Sequence, residues 1–213
     1  YDLDGDGESE MVIGNDYDSG HILKGRTGQR IGSFSMTWHA GPSAVAMGDL
    51  DGDGKGDIVI GDRMGYMEFC VPWNTKARAG CQISAIITVI KFADLDGDGK
   101  KEVIVGADSG MVYVFDAAAR QLFRFDAGDA PRDIDFGDLD GDGRKDFLLD
   151  CRDRCMRVID GNGRKMAMFS VKGGVRFVRA VELDGNKKAS ECVVAGADGC
   201  VYALKFNAAG GAR

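Results

Sequence analysis

Six residues, Asp-Leu-Asp-Gly-Asp-Gly, recur four times, beginning at Asp2, Asp49, Asp94 and Asp138. A decayed fifth copy, Glu182-Leu183-Asp184-Gly185-Asn186, follows at the same interval. The starts at positions 2, 49, 94, 138 and 182 are stepped by about 44–47 residues. Chance does not produce that regularity, so the chain is a repeat array before any strand is assigned.

The residues around each acidic string repeat as well. Met11–Gly14, Ile58–Gly61, Val103–Gly106, Phe147–Asp150 and Cys192–Gly196 are short apolar runs just after it. A turn and a second apolar run follow, as in Met111–Phe115 and Val201–Leu204, then a third, as in Gln121–Phe125 and Lys165–Phe169. Ala44–Met47, Thr88–Phe92, Ile134–Phe136 and Arg176–Val181 precede the acidic strings and read as strands too. Segments this short, this rich in β-branched residues and this often broken by turns are strands rather than helices.

Four strands per unit of about 44 residues predict an all-β fold, a β-propeller of four-stranded blades with about five repeats. Residues 1–213 are expected to form a single propeller domain or a segment of a larger ring. The first unit lacks a strand before Asp2, and the last ends soon after its third strand, near Phe206. Part of a larger ring is the favoured of the two, because blades cut at their ends leave unpaired edges.

Composition agrees. The chain carries 32 glycines against 3 prolines, which suits many tight turns between strands. The longest apolar stretch, Ile83–Ile90, is interrupted by Ser84 and Thr88 and reads as strand, so no membrane span is expected. There is no initiator Met and no signal peptide, which points to a mature form or a piece of something longer. The net charge of −7 sits largely in the acidic strings, and four bound divalent ions would bring it to about +1. No basic cluster suggests nucleic acid.

The acidic strings have the chemistry of a hard-cation site. In Asp49–Asp57, carboxylates stand at positions one, three, five and nine: Asp49, Asp51, Asp53 and Asp57. The main-chain carbonyl of Lys55, at position seven, supplies a further oxygen. The same reading gives Asp2, Asp4, Asp6, Glu8 (carbonyl) and Glu10. It gives Asp94, Asp96, Asp98, Lys100 (carbonyl) and Glu102, then Asp138, Asp140, Asp142, Arg144 (carbonyl) and Asp146. Ca²⁺ takes about 6–8 oxygens, whereas Zn²⁺ prefers nitrogen and sulfur and Mg²⁺ a tighter, wetter octahedron. Four Ca²⁺ ions are therefore expected. In the fifth copy, Glu182, Asp184 and Asn186 keep part of the pattern but Glu191 is displaced by one residue, so weak binding or none is expected. An EF-hand is excluded, because its twelfth-position Glu is replaced by Ile13, Ile60, Val105 or Leu149 inside an apolar run.

The pattern D-x-D-G-D-G-x-x-[DE], followed by an apolar strand and Gly, resembles the FG-GAP/VCBS repeats of integrin α-subunit propellers and many secreted microbial proteins. That resemblance covers essentially the whole chain and implies a Ca²⁺ loop between the first and second strands of each blade. The blades are shorter than in integrins, and Gly-Ala-Pro is reduced to Gly-Ala at Gly106-Ala107 and Gly196-Ala197. Integrin-specific partners therefore do not carry over.

Six cysteines are present and no C-x-x-C occurs. An even count and loops suited to millimolar calcium fit an extracellular, secreted or cell-surface protein, the periplasm included. A hairpin disulfide between Cys151 and Cys155 is expected; Cys70–Cys81 and then Cys192–Cys200 are the further pairings, with buried free thiols as the alternative. The insertion Val71–Gly80 sets Trp73 near Lys76 and Arg78, either as a ligand contact or with Trp73 packed on the next blade. Only His21 and His39 exist, and no nucleophile–base spacing appears, so no catalytic residue is assigned. The expected function is a binding, adhesion or structural module presenting loops to a protein or glycan. The alternative is a domain of a secreted polysaccharide-active enzyme like the rhamnogalacturonan lyases, which would need a basic and aromatic cleft.

Overall fold

The computed structural model describes residues 1–14, 19–35, 41–70, 77–183, 185 and 191–206. Trp73, Lys76, His39, Asp184 and Asn186, and the side chain of Arg78, lie outside the described set. The described residues form antiparallel sheets, each a meander whose strands neighbour one another in chain order. The first holds β1 (Glu10–Gly14), β2 (Ser19–Lys24) and β3 (Arg30–Ser35). The second holds β4 (Pro42–Gly48), β5 (Asp57–Asp62), β6 (Tyr66–Cys70) and β7 (Ala77–Gln82). β8 (Ile87–Ala93), β9 (Glu102–Ala107), β10 (Met111–Phe115) and β11 (Gln121–Asp126) make the third. The fourth contains β12 (Pro131–Gly137), β13 (Asp146–Cys151), β14 (Met156–Ile159) and β15 (Lys165–Phe169). The fifth contains β16 (Val175–Val181), β17 (Glu191–Gly196) and β18 (Val201–Leu204).

Within a sheet, position dictates composition. β5, β9 and β13 are buried at every residue, and their runs Ile58–Ile60, Val103–Val105 and Phe147–Leu149 are continuously apolar because both faces are covered. The outer strands β11 and β15 are mostly exposed or half-buried. The first strands of the second to fifth sheets all carry a bulge just after their start, at Pro42/Ala44, Ile87/Val89, Pro131/Asp133 and Val175/Phe177. One local kink repeated at one place in four blades is a property of the repeat unit.

The apolar run Ile83–Ile90 is not a single strand. Ile83 donates its N–H to Gly65 O at 2.8 Å, the chain bends at Ser84 and Ala85, and β8 begins only at Ile87. A turn with buried flanks looks like a strand in sequence, because apolarity reports burial and not backbone shape.

The chain divides into two compact units, with the boundary in the third sheet. The first comprises Tyr1–Asp94, Asp98–Ala107 and Tyr113–Phe123; the second comprises Leu95–Gly97, Asp108–Val112 and Arg124–Arg213. In the first unit, Leu3 packs with Ile22, Phe34, Ile58, Ile60 and Cys70. In the second, Leu139 packs with Leu148, Met156, Val158, Val178 and Val194. In both, the leucine of an acidic string enters a core shared by two sheets. Burial of each such side chain contributes about 1.5–3 kcal/mol.

Candidate metal centres

The acidic strings link the first and second strands of their sheets: 49–56 joins β4 to β5, 94–101 joins β8 to β9, and 138–145 joins β12 to β13. The first string leads into β1. The ninth-position acid is the first residue of the second strand, where the sheet register fixes it: Asp57 pairs with Gly48, Glu102 with Ala93 and Asp146 with Gly137.

Each loop is wound on its own carboxylates. In the first, Asp2 accepts the N–H groups of Gly5 at 2.7 Å and Gly7 at 2.9 Å, one on each oxygen. Asp6 accepts Glu8 N–H at 2.8 Å. The second and fourth loops repeat this: Asp49 takes Gly52 and Gly54, and Asp138 takes Gly141 and Gly143, at the same 2.7 and 2.9 Å. The winding needs positive φ at two places per loop, for instance +79° at Gly52 and +84° at Gly54. A side chain there is strained by about 1–2 kcal/mol, which explains the fixed Gly in both positions.

The winding brings acids together. The carboxylate oxygens of Asp2, Asp4 and Asp6 lie within 4.8 Å of one another, as do those of Asp49, Asp51 and Asp53. In the third and fourth loops the sets are Asp94, Asp96 and Glu102, and Asp138, Asp140 and Asp146. The fifth-position acids Asp98 and Asp142 and the ninth-position acids Glu10 and Asp57 are not in those sets. Glu8, Lys55, Lys100 and Arg144 occupy position seven in these loops. Two charges at that separation repel by about 1 kcal/mol in water and about 3.5 at an effective dielectric of 20. Backbone N–H groups, Gly7 foremost, hold the Asp2 carboxyl below the usual carboxylate range. Burial pushes Asp146 up to about 6, against the N–H groups of Leu139 and Gly161 and with the help of the Asp140 and Asp142 charges.

Two features were not singled out from the sequence. The first is the leucine at position two. Its N–H donates to the ninth-position acid: Leu3 to Glu10 at 2.8 Å, Leu50 to Asp57 at 3.1 Å and Leu139 to Asp146 at 2.8 Å. Its side chain is buried in the same three cases. The unbroken Leu in every copy of the string was the available signal. The second is an orphaned atom. Glu10 is 2% exposed, its Oε2 accepts Leu3 N–H, and its Oε1 is buried with no hydrogen-bond partner among the described residues. Leaving a charged oxygen that way costs several kcal/mol, which a hard cation would offset. The donor set is all oxygen, so the residues fit Ca²⁺.

The fifth copy departs. Glu182 still accepts Gly185 N–H at 2.8 Å and Glu191 still accepts Leu183 N–H at 3.1 Å. Leu183, however, is 54% exposed, and the other oxygen of Glu191 meets Lys205 Nζ at 2.9 Å.

The disulfides expected from the sequence are not formed; all six cysteines are free. Register explains two of the three. Cys70 lies opposite Ala77 while Cys81 lies opposite Met67, so the pair is offset three residues along the hairpin, roughly 10 Å. Cys192 faces Leu204 and Cys200 lies beyond Val201, a larger offset. Cys151 and Cys155 do stand across their turn, with Cys151 N–H donating to Cys155 O at 3.2 Å, but the Cys155 thiol is turned to the carbonyl of Asp153.

A cleft of about 340 Å³ opens in the first unit beside the second and third loops, lined by Asp51, Asp98, Lys100, Lys101, Asp116 and Arg120 among others. No helix among the described residues is long and apolar enough to cross a membrane.

Sheets of four antiparallel strands, each carrying an oxygen-lined loop between its first two strands, define a class of propeller repeat. A family model described as "FG-GAP-like repeat" matches residues 2–60 and 94–149, more than half of the chain, and the chain belongs to that family. No curated protein matches the sequence. Among solved structures, the chain resembles the β-propeller Sqt1 of Saccharomyces cerevisiae with a TM-score of 0.76 and 14% identity, covering 96% of this chain and 57% of that one. It also resembles BBS1N, crystallised in complex with ARL6DN and soaked with lead, with a TM-score of 0.70 and 11% identity, over 93% of this chain and 61% of that one. At such identities the likeness shows the fold alone. The chain spans about three fifths of the length of these propellers.

Proposed function

We propose that this chain is a calcium-stabilised propeller module that binds a protein or glycan through its surface loops, outside the cell or on its surface, and carries no catalytic site. The observation that carries the reading is the recurrence, at one place in four successive repeats, of three carboxylates within 4.8 Å. Without a cation each cluster opposes the fold that assembles it. With one, the loop clamps the first strand of its blade to the second. The ligands would be the position one, three, five and nine acids of each loop and the carbonyls of Glu8, Lys55, Lys100 and Arg144. Ca²⁺ supplies positive charge and 6–8 coordination positions. The extracellular placement rests on such loops suiting millimolar calcium.

A protein partner has support from the fold class, since BBS1N is held in a complex with ARL6DN. The cleft beside the second and third loops is the place for a polar ligand in the first unit. Calorimetric melting of protein stripped of metal and then titrated with Ca²⁺ tests the reading. Each site stabilises by about 2.7 kcal/mol at a hundredfold excess of Ca²⁺ over its dissociation constant. An identical melting curve in excess EGTA and in millimolar Ca²⁺ would sink it.

A further inference from the structure

At the end of the fourth and fifth sheets opposite their acidic loops, three arginines line one small pocket. Arg132 is the second residue of β12, Arg176 is the second of β16, and Arg154 lies in the turn between β13 and β14. With Gly173 and Val175 they enclose about 110 Å³. We propose that this pocket is a binding site for a small dianionic oxyanion, a sulfate or phosphate group.

The charge balance favours an anion. Of the nearby carboxylates, Asp150 takes Arg132 at 2.6 Å, Asp133 takes Arg179 at 2.7 Å and Asp153 takes Arg157. The Arg154 guanidinium donates to the carbonyl of Gly173 at 3.3 Å, and neither Arg154 nor Arg176 makes an ion pair among the described residues. The pocket lining thus carries three guanidinium groups and no carboxylate, and of the three only Arg132 is paired with an acid among the described residues. Guanidinium donors arranged around a small space match the oxygens of a tetrahedral dianion.

The backbone shows that the arrangement is built. In each of the turns β5–β6, β9–β10, β13–β14 and β17–β18 of the second to fifth sheets, one residue has left-handed φ, and in three of them it is glycine: Gly65 at +82°, Gly110 at +84° and Gly199 at +84°. In the fourth sheet it is Arg154 at +64°. Gly65, Arg154 and Gly199 each donate to the carbonyl three residues back, so their turns are equivalent. An arginine there costs about 1–2 kcal/mol relative to glycine. Gly174, itself at +96°, makes room, since a Cβ on it would collide with Cβ of Arg154. Strain retained where three sibling turns avoid it points to a role for the side chain. The pocket shares no residue with the acidic loops, so this site stands or falls apart from calcium.

The test is titration of the protein with sodium sulfate at fixed ionic strength and fixed calcium, followed by calorimetry and by the arginine Nε–H NMR signals. Saturable binding that shifts the signals of Arg132, Arg154 and Arg176 is expected. Arg154→Gly restores the sibling turn, so it should melt no lower than the parent while binding sulfate at least about tenfold more weakly; Arg176→Gln should also weaken binding about tenfold. Glucosamine 6-sulfate in a second arm tells a sugar-borne group, which would bind more tightly than the free ion, from a free-ion site. Absence of saturable shifts at the three arginines, or unchanged sulfate affinity in Arg154→Gly, would overturn the proposal.

Discussion

Lys205 Nζ lies 2.9 Å from Glu191 Oε1, the counterpart of the Glu10 oxygen that has no partner in the first loop. In one blade an ammonium group from the chain itself meets that oxygen; in the other no group among the described residues does. The two ends of the repeat array thus differ at the same atom: Lys205 meets it in the fifth repeat, and in the first it is left for a cation under the proposed function. Calcium titration by calorimetry is accordingly expected to give four equivalents per chain. Five equivalents would show that Lys205 does not close the fifth site.

Lys205→Met strands a carboxylate that is nearly fully buried. Lys205 is itself 46% exposed, so solvent screens part of the pair and the loss is expected at about 1–2 kcal/mol rather than the larger cost of a fully buried pair. Urea unfolding measures it. Adding Glu191→Gln should recover most of the loss, because the amide removes the unpaired charge while still accepting the N–H of Leu183. A double variant no more stable than Lys205→Met would locate the cost elsewhere.

How much of this was legible beforehand follows from the physics of each part. The repeat named the loops and strands, because apolar runs and glycine-paired acidic turns are local features. β10 and β18 begin and end where the apolar runs Met111–Phe115 and Val201–Leu204 do. The Ile83–Ile90 stretch did not read correctly, since burial and extended backbone are different properties. Disulfide pairing was not legible either. It depends on which residues stand opposite across a hairpin, and Cys70 and Cys81 are displaced by a register that the sequence does not display. Lys205 and Arg154 were invisible for a related reason. Each matters only through residues many positions away.

The cysteines should differ sharply in reactivity. Burial pushes the thiols of Cys70 and Cys192 up to about 12 and that of Cys151 up to about 11, so few thiolates form at neutral pH. Cys200 is exposed. Timed labelling with a thiol reagent should modify Cys200 first, with the three buried thiols reacting only on denaturation. Rapid labelling of Cys151 in the folded protein would contradict its packing.

Two substitutions separate the loop from the core it is tied to. Gly52→Ala meets no atom closer than Gly99 O at 3.9 Å, so its cost is conformational, about 1–2 kcal/mol at a φ of +79°. That cost falls on the wound loop, and the proposed calcium site requires the wound loop. Gly52→Ala should therefore weaken binding at one of the four sites and narrow the gap between melting in calcium and in EGTA. Leu139→Ala empties a fully buried position between the fourth and fifth sheets and should cost about 2–5 kcal/mol. Much of that loss should persist in EGTA, since the cavity exists with or without the ion. Because Leu139 N–H also holds Asp146 Oδ2, the variant should lower calcium affinity at the fourth loop as well. A Leu139→Ala protein with full calcium affinity would show that the loop is positioned by its backbone alone, with no help from the core.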